Sequence, residues 1–194
     1  PINGMRGCYL STDYEDKFLF VAGYHDGKLT VLRLNEDGSI GSITDEIFHK
    51  GLGTAAERHY RPHINCSRMS HDNKYLFVAD QGMDHVNVYR VDHNKGTVKL
   101  ADVLRGDIDS APRHVKMSKN GKFVYIIHEV ACNITVYTYE ERIVKNGKVE
   151  TKVIFGYENI FKRTVYQRCN SGNYCSNYRF AFINCVSTCI RGNT

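Results

Sequence analysis

No stretch of this 194-residue sequence approaches the roughly 18 uninterrupted apolar residues that a bilayer-crossing helix needs, which excludes a helical membrane span. The opening Pro1-Ile2-Asn3-Gly4 lacks the charged start and apolar run of a secretory signal. It also lacks an initiator Met, so an N-terminal portion is expected to be missing. The end of the chain is poor in acid: after residue 150 there is no Asp, Glu158 stands alone against six Lys or Arg, and no His follows His128. Residues 1–150 carry twenty basic and twenty acidic residues. The net charge of +5 therefore comes wholly from the tail and makes no case for a nucleic-acid partner. Cysteine divides the same way, with Cys8, Cys66 and Cys132 scattered and Cys169, Cys175, Cys185 and Cys189 crowded into the tail.

What is present is a repeat. Lys17–Ala22, Lys74–Ala79 and Lys122–Ile127 are variants of one Lys-aromatic-apolar run, starting 57 and then 48 residues apart. In each copy a second run, Leu29–Val31, Val86–Val88 or Ile134–Val136, begins twelve residues after the Lys. The runs are short, rich in Val, Ile, Tyr and Phe, and bounded by turn dipeptides such as Asp26-Gly27, Asp37-Gly38 and Asn120-Gly121, which reads as strands. The first run is apolar at every position, as expected of a strand covered on both faces. A leading strand (66–70, 114–118) and a trailing one (98–104) bring each copy to about four strands. Four antiparallel strands repeated at this spacing predict an all-β fold of β-propeller blades; a sandwich has no reason to repeat in register. The expected blades are residues 7–50, 62–106 and 112–150.

Arg58-His59-Tyr60-Arg61-Pro62-His63, Tyr75–Asp84, Ala111-Pro112-Arg113-His114 and His128-Glu129 resemble, in order and spacing, the seven-bladed lactonase propellers of the 6-phosphogluconolactonase and carboxymuconate cycloisomerase type. The resemblance covers residues 7 to about 140 and implies three blades of an incomplete seven-bladed ring, the remaining blades of the full-length chain being its partners. It implies a small-molecule lactone substrate, hydrolytic ring opening in carbohydrate metabolism, no cofactor, no nucleic-acid or membrane partner, and a cytoplasmic location. A non-catalytic propeller scaffold and a cycloisomerase remain open as alternatives.

Lactone hydrolysis needs a base to activate water, a donor for the oxyanion and a cationic grip on an acidic substituent. The resemblance places Arg113 and Glu129 in the central channel, where Arg113 suits the carbonyl or an anionic group and Glu129 suits proton transfer. The family's Pro-His-x-His stretch reads Pro62-His63-Ile64-Asn65 here, so an amide that does not titrate stands where relatives carry the second His. Either His63, which would face the same way from two residues off, or Glu129 then carries the proton, or the protein serves another substrate or none; three blades by themselves are expected to be inactive. Arg58, Asn65 and His114 are expected as substrate-binding residues, although alternation along a strand turns His114 away from Arg113.

No zinc spacing is evident in residues 1–150, and no metal is expected. Asp80, Gly82 and Asp84 do not fit an EF-hand and are expected to shape a turn. Cys8, Cys66 and Cys132 read as small buried hydrophobes. Residues 151–194 fall outside the repeat as an atypical Cys-rich tail, for which a binding module, disulfides and out-of-frame or disordered sequence are the open readings.

Overall fold

The computed structural model describes residues 2–53, 61–142 and 152–154. Its strands are β1 (Gly7–Thr12), β2 (Phe18–Gly23), β3 (Lys28–Leu34), β4 (Ile40–Phe48), β5 (Ile64–Met69), β6 (Tyr75–Asp80), β7 (His85–Asp92), β8 (Thr97–Arg105), β9 (Pro112–Met117), β10 (Phe123–His128), β11 (Asn133–Thr138), β12 (Glu140–Arg142) and β13 (Lys152–Ile154). They form antiparallel sheets in sequence order, β1-β2-β3-β4 and then β5-β6-β7-β8, followed by the three-stranded β9-β10-β11. The first two blades have the four strands expected. In the third, β12 pairs with β13 in a separate ribbon instead of extending the sheet. The inner strands lie side by side, β1 against β5 and β5 against β9, so the sheets fan outward from one edge as blades do.

The repeat begins with a local hydrogen-bond device. Asp13, Ser70 and Ser118 occupy the same place in the turn between the first and second strands of each blade. Asp13 Oδ1 accepts from the Lys17 and Phe18 amides at 2.8 Å each. Ser70 Oγ accepts from the Tyr75 amide at 2.9 Å and Ser118 Oγ from the Phe123 amide at 2.9 Å. Three residues further on, Asp16, Asn73 and Gly121 have φ of 52°, 58° and 71°, the left-handed conformation that Asn, Asp and Gly tolerate best. Replacing Asp13, which is 2% exposed, leaves the buried Phe18 amide without its acceptor. Asp13→Ala is expected to lower the unfolding free energy by about 1–3 kcal/mol, measured by urea denaturation.

The core lies between blades, and β6 shows why its sequence is apolar throughout. Leu76 and Val78 face Phe18, Phe20, Leu29 and Val31 of the first blade, while Tyr75, Phe77 and Ala79 face Val115, Val124 and Ile126 of the third. With a side-chain period of two, covering both faces leaves no position for a polar residue. β10 differs from the expectation: Val124, Ile126 and His128 are buried, but Phe123, Tyr125 and Ile127 are half-exposed. Among the described residues only the second blade packs on it, so one of its faces remains uncovered.

Candidate active site

Each inner strand carries one irregularity, always at the same place. Pairing of β1 with β2 passes from Gly7–Gly23 to Tyr9–Ala22 and skips Cys8. Pairing of β5 with β6 passes from Ile64–Asp80 to Cys66–Ala79 and skips Asn65, and that of β9 with β10 passes from Pro112–His128 to His114–Ile127 and skips Arg113. A β-bulge leaves its extra residue unpaired and re-aims the side chain, a device common beside active sites. Cys8, Asn65 and Arg113 are 57 and 48 residues apart, the period of the repeat itself. The residue just after the second strand recurs likewise as Tyr24, Gln81 and Glu129.

These six positions form the candidate site. Arg113 Nη1 donates to Glu129 Oε2 in a charge-assisted pair. The same carboxylate oxygen accepts from Gln81 Nε2 at 3.1 Å, and Gln81 Oε1 in turn accepts from Asn65 Nδ2. The relay Asn65–Gln81–Glu129–Arg113 thus crosses from the second blade to the third. Its inner end is dry, with Gln81 and Asn65 5% and 8% exposed. Its outer end is open, with the Arg113 and Glu129 side chains 36% and 43% exposed. The Cys8 thiol donates to the Ile64 carbonyl at 3.1 Å. Although the residue is exposed, burial of its sulfur pushes the thiol above its ordinary pKa, which disfavours a nucleophilic thiolate. Burial also raises the Tyr24 hydroxyl, with Glu129 adding to the shift and Arg113 opposing it, so Tyr24 lies within the field of the pair.

His63 belongs to the neighbourhood but not to the relay. Its Nδ1 is 2.9 Å from the Tyr24 carbonyl, which can only accept, so Nδ1 carries the proton. The ring stacks on Tyr24 at 4.4 Å. The bulge at Asn65 explains why His63 and Asn65, two residues apart, make separate contacts. His114 lies 6.2 Å, centroid to centroid, from Tyr9 of the first blade, and burial, with the Arg113 charge adding to it and Glu129 opposing, lowers its pKa. Arg58 lies outside the described residues, as do residues 155–194 of the tail. Cys66 is buried as expected; Cys132 and Cys8 are exposed, Cys132 in a turn at φ 50° and Cys8 on β1, which is exposed along most of its length. Asp80 and Asp84 do shape turns: Asp80 caps a single 3-10 turn at Gln81–Met83, and Asp84 accepts from the Asp109 and Ala111 amides. Gln81 and Tyr24 were missed by the sequence reading, although the repeat register pointed to both.

His128, beside Glu129, is 3% exposed, bonds through Nε2 to Thr135 Oγ1 at 2.8 Å and leaves Nδ1 unpartnered. Burial lowers its pKa, against the opposing pull of Asp107 and Asp84. The unfolded chain then binds a proton that the folded state resists, so stability falls as pH drops below about 6.5 and on through the lower folded value. Urea denaturation at pH 5.5 and 7.5 is expected to show this loss, and His128→Gln is expected to reduce it.

The sequence model of the family described as "Lactonase, 7-bladed beta-propeller" matches residues 1–154. The chain belongs to this family. An uncharacterized Staphylococcus aureus protein is 33% identical over 136 residues, covering 70% of this chain and 39% of the relative. An uncharacterized Lactococcus lactis protein is 29% identical over 144 residues, 74% and 41% of the two chains. The lactonase-family chain thus spans about two fifths of the length of these relatives. Among solved structures it resembles a Pseudomonas aeruginosa protein described as a periplasmic gluconolactonase, with TM-score 0.65 and 27% identity over 75% of this chain and 41% of that one. A Bacteroides fragilis protein described as a candidate 6-phosphogluconolactonase gives TM-score 0.66 and 30% identity over 72% and 41%.

Proposed function

We propose that the protein to which these blades belong hydrolyses a sugar-acid lactone of the 6-phosphogluconolactone type, with Glu129 and Arg113 as the reacting pair. The observation that carries this reading is the Arg113–Glu129 pair itself, held at the open end of a buried amide relay. Such an end leaves a carboxylate and a guanidinium accessible to a small molecule while fixing the carboxylate's orientation.

Water attacks the lactone carbonyl carbon and gives its proton to Glu129. The oxyanion that forms is stabilised by the Arg113 guanidinium. The ring C–O bond then breaks and the leaving alkoxide takes the proton from Glu129, so acid and base duties balance on one carboxylate. Gln81 is a positioning residue that donates to Glu129, and Asn65 fixes Gln81. Asn65 does not titrate, and as the donor to Gln81 Oε1 it has a role that does not require it to. His63, with its Nδ1 proton committed to the Tyr24 carbonyl, keeps Nε2 as an acceptor for a substrate hydroxyl, and the Tyr24 ring extends that wall. His114 and Arg58 remain proposed substrate contacts. Closure of the Arg113–Glu129 pair in the absence of substrate is also what a binding scaffold would show; turnover separates the two readings. The three cysteines among the described residues carry free thiols, which suits a reducing compartment, and we place the protein in the cytoplasm on that ground, although one solved neighbour is described as periplasmic.

A propeller channel is lined by every blade, so the assay uses a ring completed with the remaining blades of a relative. Arg113→Ala is expected to weaken kcat/KM for 6-phosphogluconolactone by roughly tenfold to a hundredfold, the worth of a charge-assisted contact. No turnover by the completed ring, with 6-phosphogluconate still bound, would favour the scaffold.

A further inference from the structure

Among the described residues, one cluster outside the relay joins metal-ligating side chains. His49, just after β4 in the first blade, Asp80 at the end of β6 and His85 at the start of β7 bring two imidazoles and a carboxylate together, with ligand atoms within 4.8 Å of one another. We propose that these three residues bind a divalent transition-metal ion of the zinc class, clamping the first blade to the second. The proposal does not rest on the lactone reading.

The backbone sets two of the ligands side by side. Asp80 and His85 are directly paired across β6 and β7 and close the connection that contains Gln81–Met83, so both side chains leave the same face of the sheet. The third ligand arrives from the neighbouring blade, anchored where the His49 amide donates to the Gly27 carbonyl at 2.9 Å. The His49 and Asp80 side chains are 2% and 0% exposed, while His85 is half-exposed and offers an entry path.

The outer contacts leave the ligand atoms turned toward one another. Asp80 Oδ1 accepts from the His63, Gly82 and Met83 amides at 2.9, 3.1 and 3.2 Å, which leaves Oδ2 turned to His49. His49 Nε2 lies 2.9 Å from the Tyr89 hydroxyl and 3.3 Å from Asn87 Nδ2, leaving Nδ1 to face Asp80 Oδ2 at 2.6 Å. Metal-binding imidazoles and carboxylates are held in just this manner by their second nitrogen or oxygen. Nitrogen with oxygen in equal reach suits zinc and its neighbours better than calcium or magnesium, which take oxygen alone.

Ligand bonds of about 2.0–2.2 Å set tetrahedral donors roughly 3.4 Å apart. The Nδ1–Oδ2 contact, 2.6 Å long, therefore has to open by about 0.8 Å, and His85 has to swing in. Binding replaces the hydrogen bond between His49 and Asp80. The neutral imidazole then carries its proton on Nε2, toward Tyr89, and no redox step is involved. Because Asp80 also holds the His63 amide and caps the turn bearing Gln81, the ion would stiffen the wall behind the relay without touching substrate.

The test is titration of the chelator-stripped 194-residue chain with Co2+, read by visible absorption, and with Zn2+, read by calorimetry. We expect one saturable site with ligand-field bands and no sulfur charge-transfer band, the absence of which separates it from a site built on the tail cysteines. His85→Gln, at a half-exposed position, is expected to weaken binding at least tenfold while the far-ultraviolet circular dichroism stays unchanged. His49→Gln is expected to do the same, and serine variants of the tail cysteines to leave affinity unaltered. Absence of saturable binding, a spectrum dominated by thiolate charge transfer, or affinity unchanged in His85→Gln and His49→Gln would each overturn the proposal.

Discussion

Glu129→Gln in the completed ring is expected to lower kcat for lactone hydrolysis by about two to four orders of magnitude, the usual worth of a general base, with little change in KM. The substitution keeps the shape of the side chain and its capacity to accept from Gln81 Nε2, which now lies 3.1 Å from Oε2. It removes the site that takes the proton from water. Stopped-flow assays at saturating substrate separate the two parameters. A loss confined to KM would mean that Glu129 binds substrate and leaves proton transfer to another group, with His63 next in order. Asn65→His is the informative companion variant, because it restores a titrating group at a bulge position. It also breaks the amide pair with Gln81, so an increase in rate would show that the relay matters less than a second base.

Phe77→Ala is expected to lower the unfolding free energy by about 3–5 kcal/mol, as for other buried aromatic truncations. Phe77 is fully buried and packs in the cluster that unites β6 and β7 with Val115, Val124 and Ile126 of the third blade. Its loss opens a cavity at a seam between blades, and β6, bound on both faces, has little freedom to collapse into it. Leu10→Ala is the control: Leu10 is 63% exposed, and its truncation is expected to change stability by no more than about 0.5 kcal/mol. Urea denaturation of both variants gives the comparison. Similar losses in the two would contradict the assignment of the core to the seams between blades.

The fold was legible in the sequence because its signals are local and repeated. Asp13, Ser70 and Ser118 start the same turn in each blade, and a strand as apolar as Tyr75–Ala79 has to be covered on both faces. The site was half legible. Arg113 and Glu129 followed from resemblance, but the bulges at Cys8, Asn65 and Arg113 are features of pairing, since a strand's sequence does not reveal which residue its neighbour skips. That is why His63 and Asn65 were expected to face one way and instead contact different partners. Gln81 lay hidden in a turn whose aspartates drew attention as calcium-like ligands, yet the register that relates Tyr24, Gln81 and Glu129 was present in the spacing. The contact between His49 and Asp80 spans 31 residues and joins two blades, beyond the reach of any local pattern.

The most direct test of the reacting pair is a crystal structure of the completed ring with 6-phosphogluconate, the product of the proposed reaction. The account predicts that the product's C1 carboxylate lies within roughly 3–3.5 Å of both the Glu129 carboxyl and the Arg113 guanidinium, with Gln81 still donating to Glu129. A product bound elsewhere in the channel, with the Arg113–Glu129 pair closed and untouched, would contradict it.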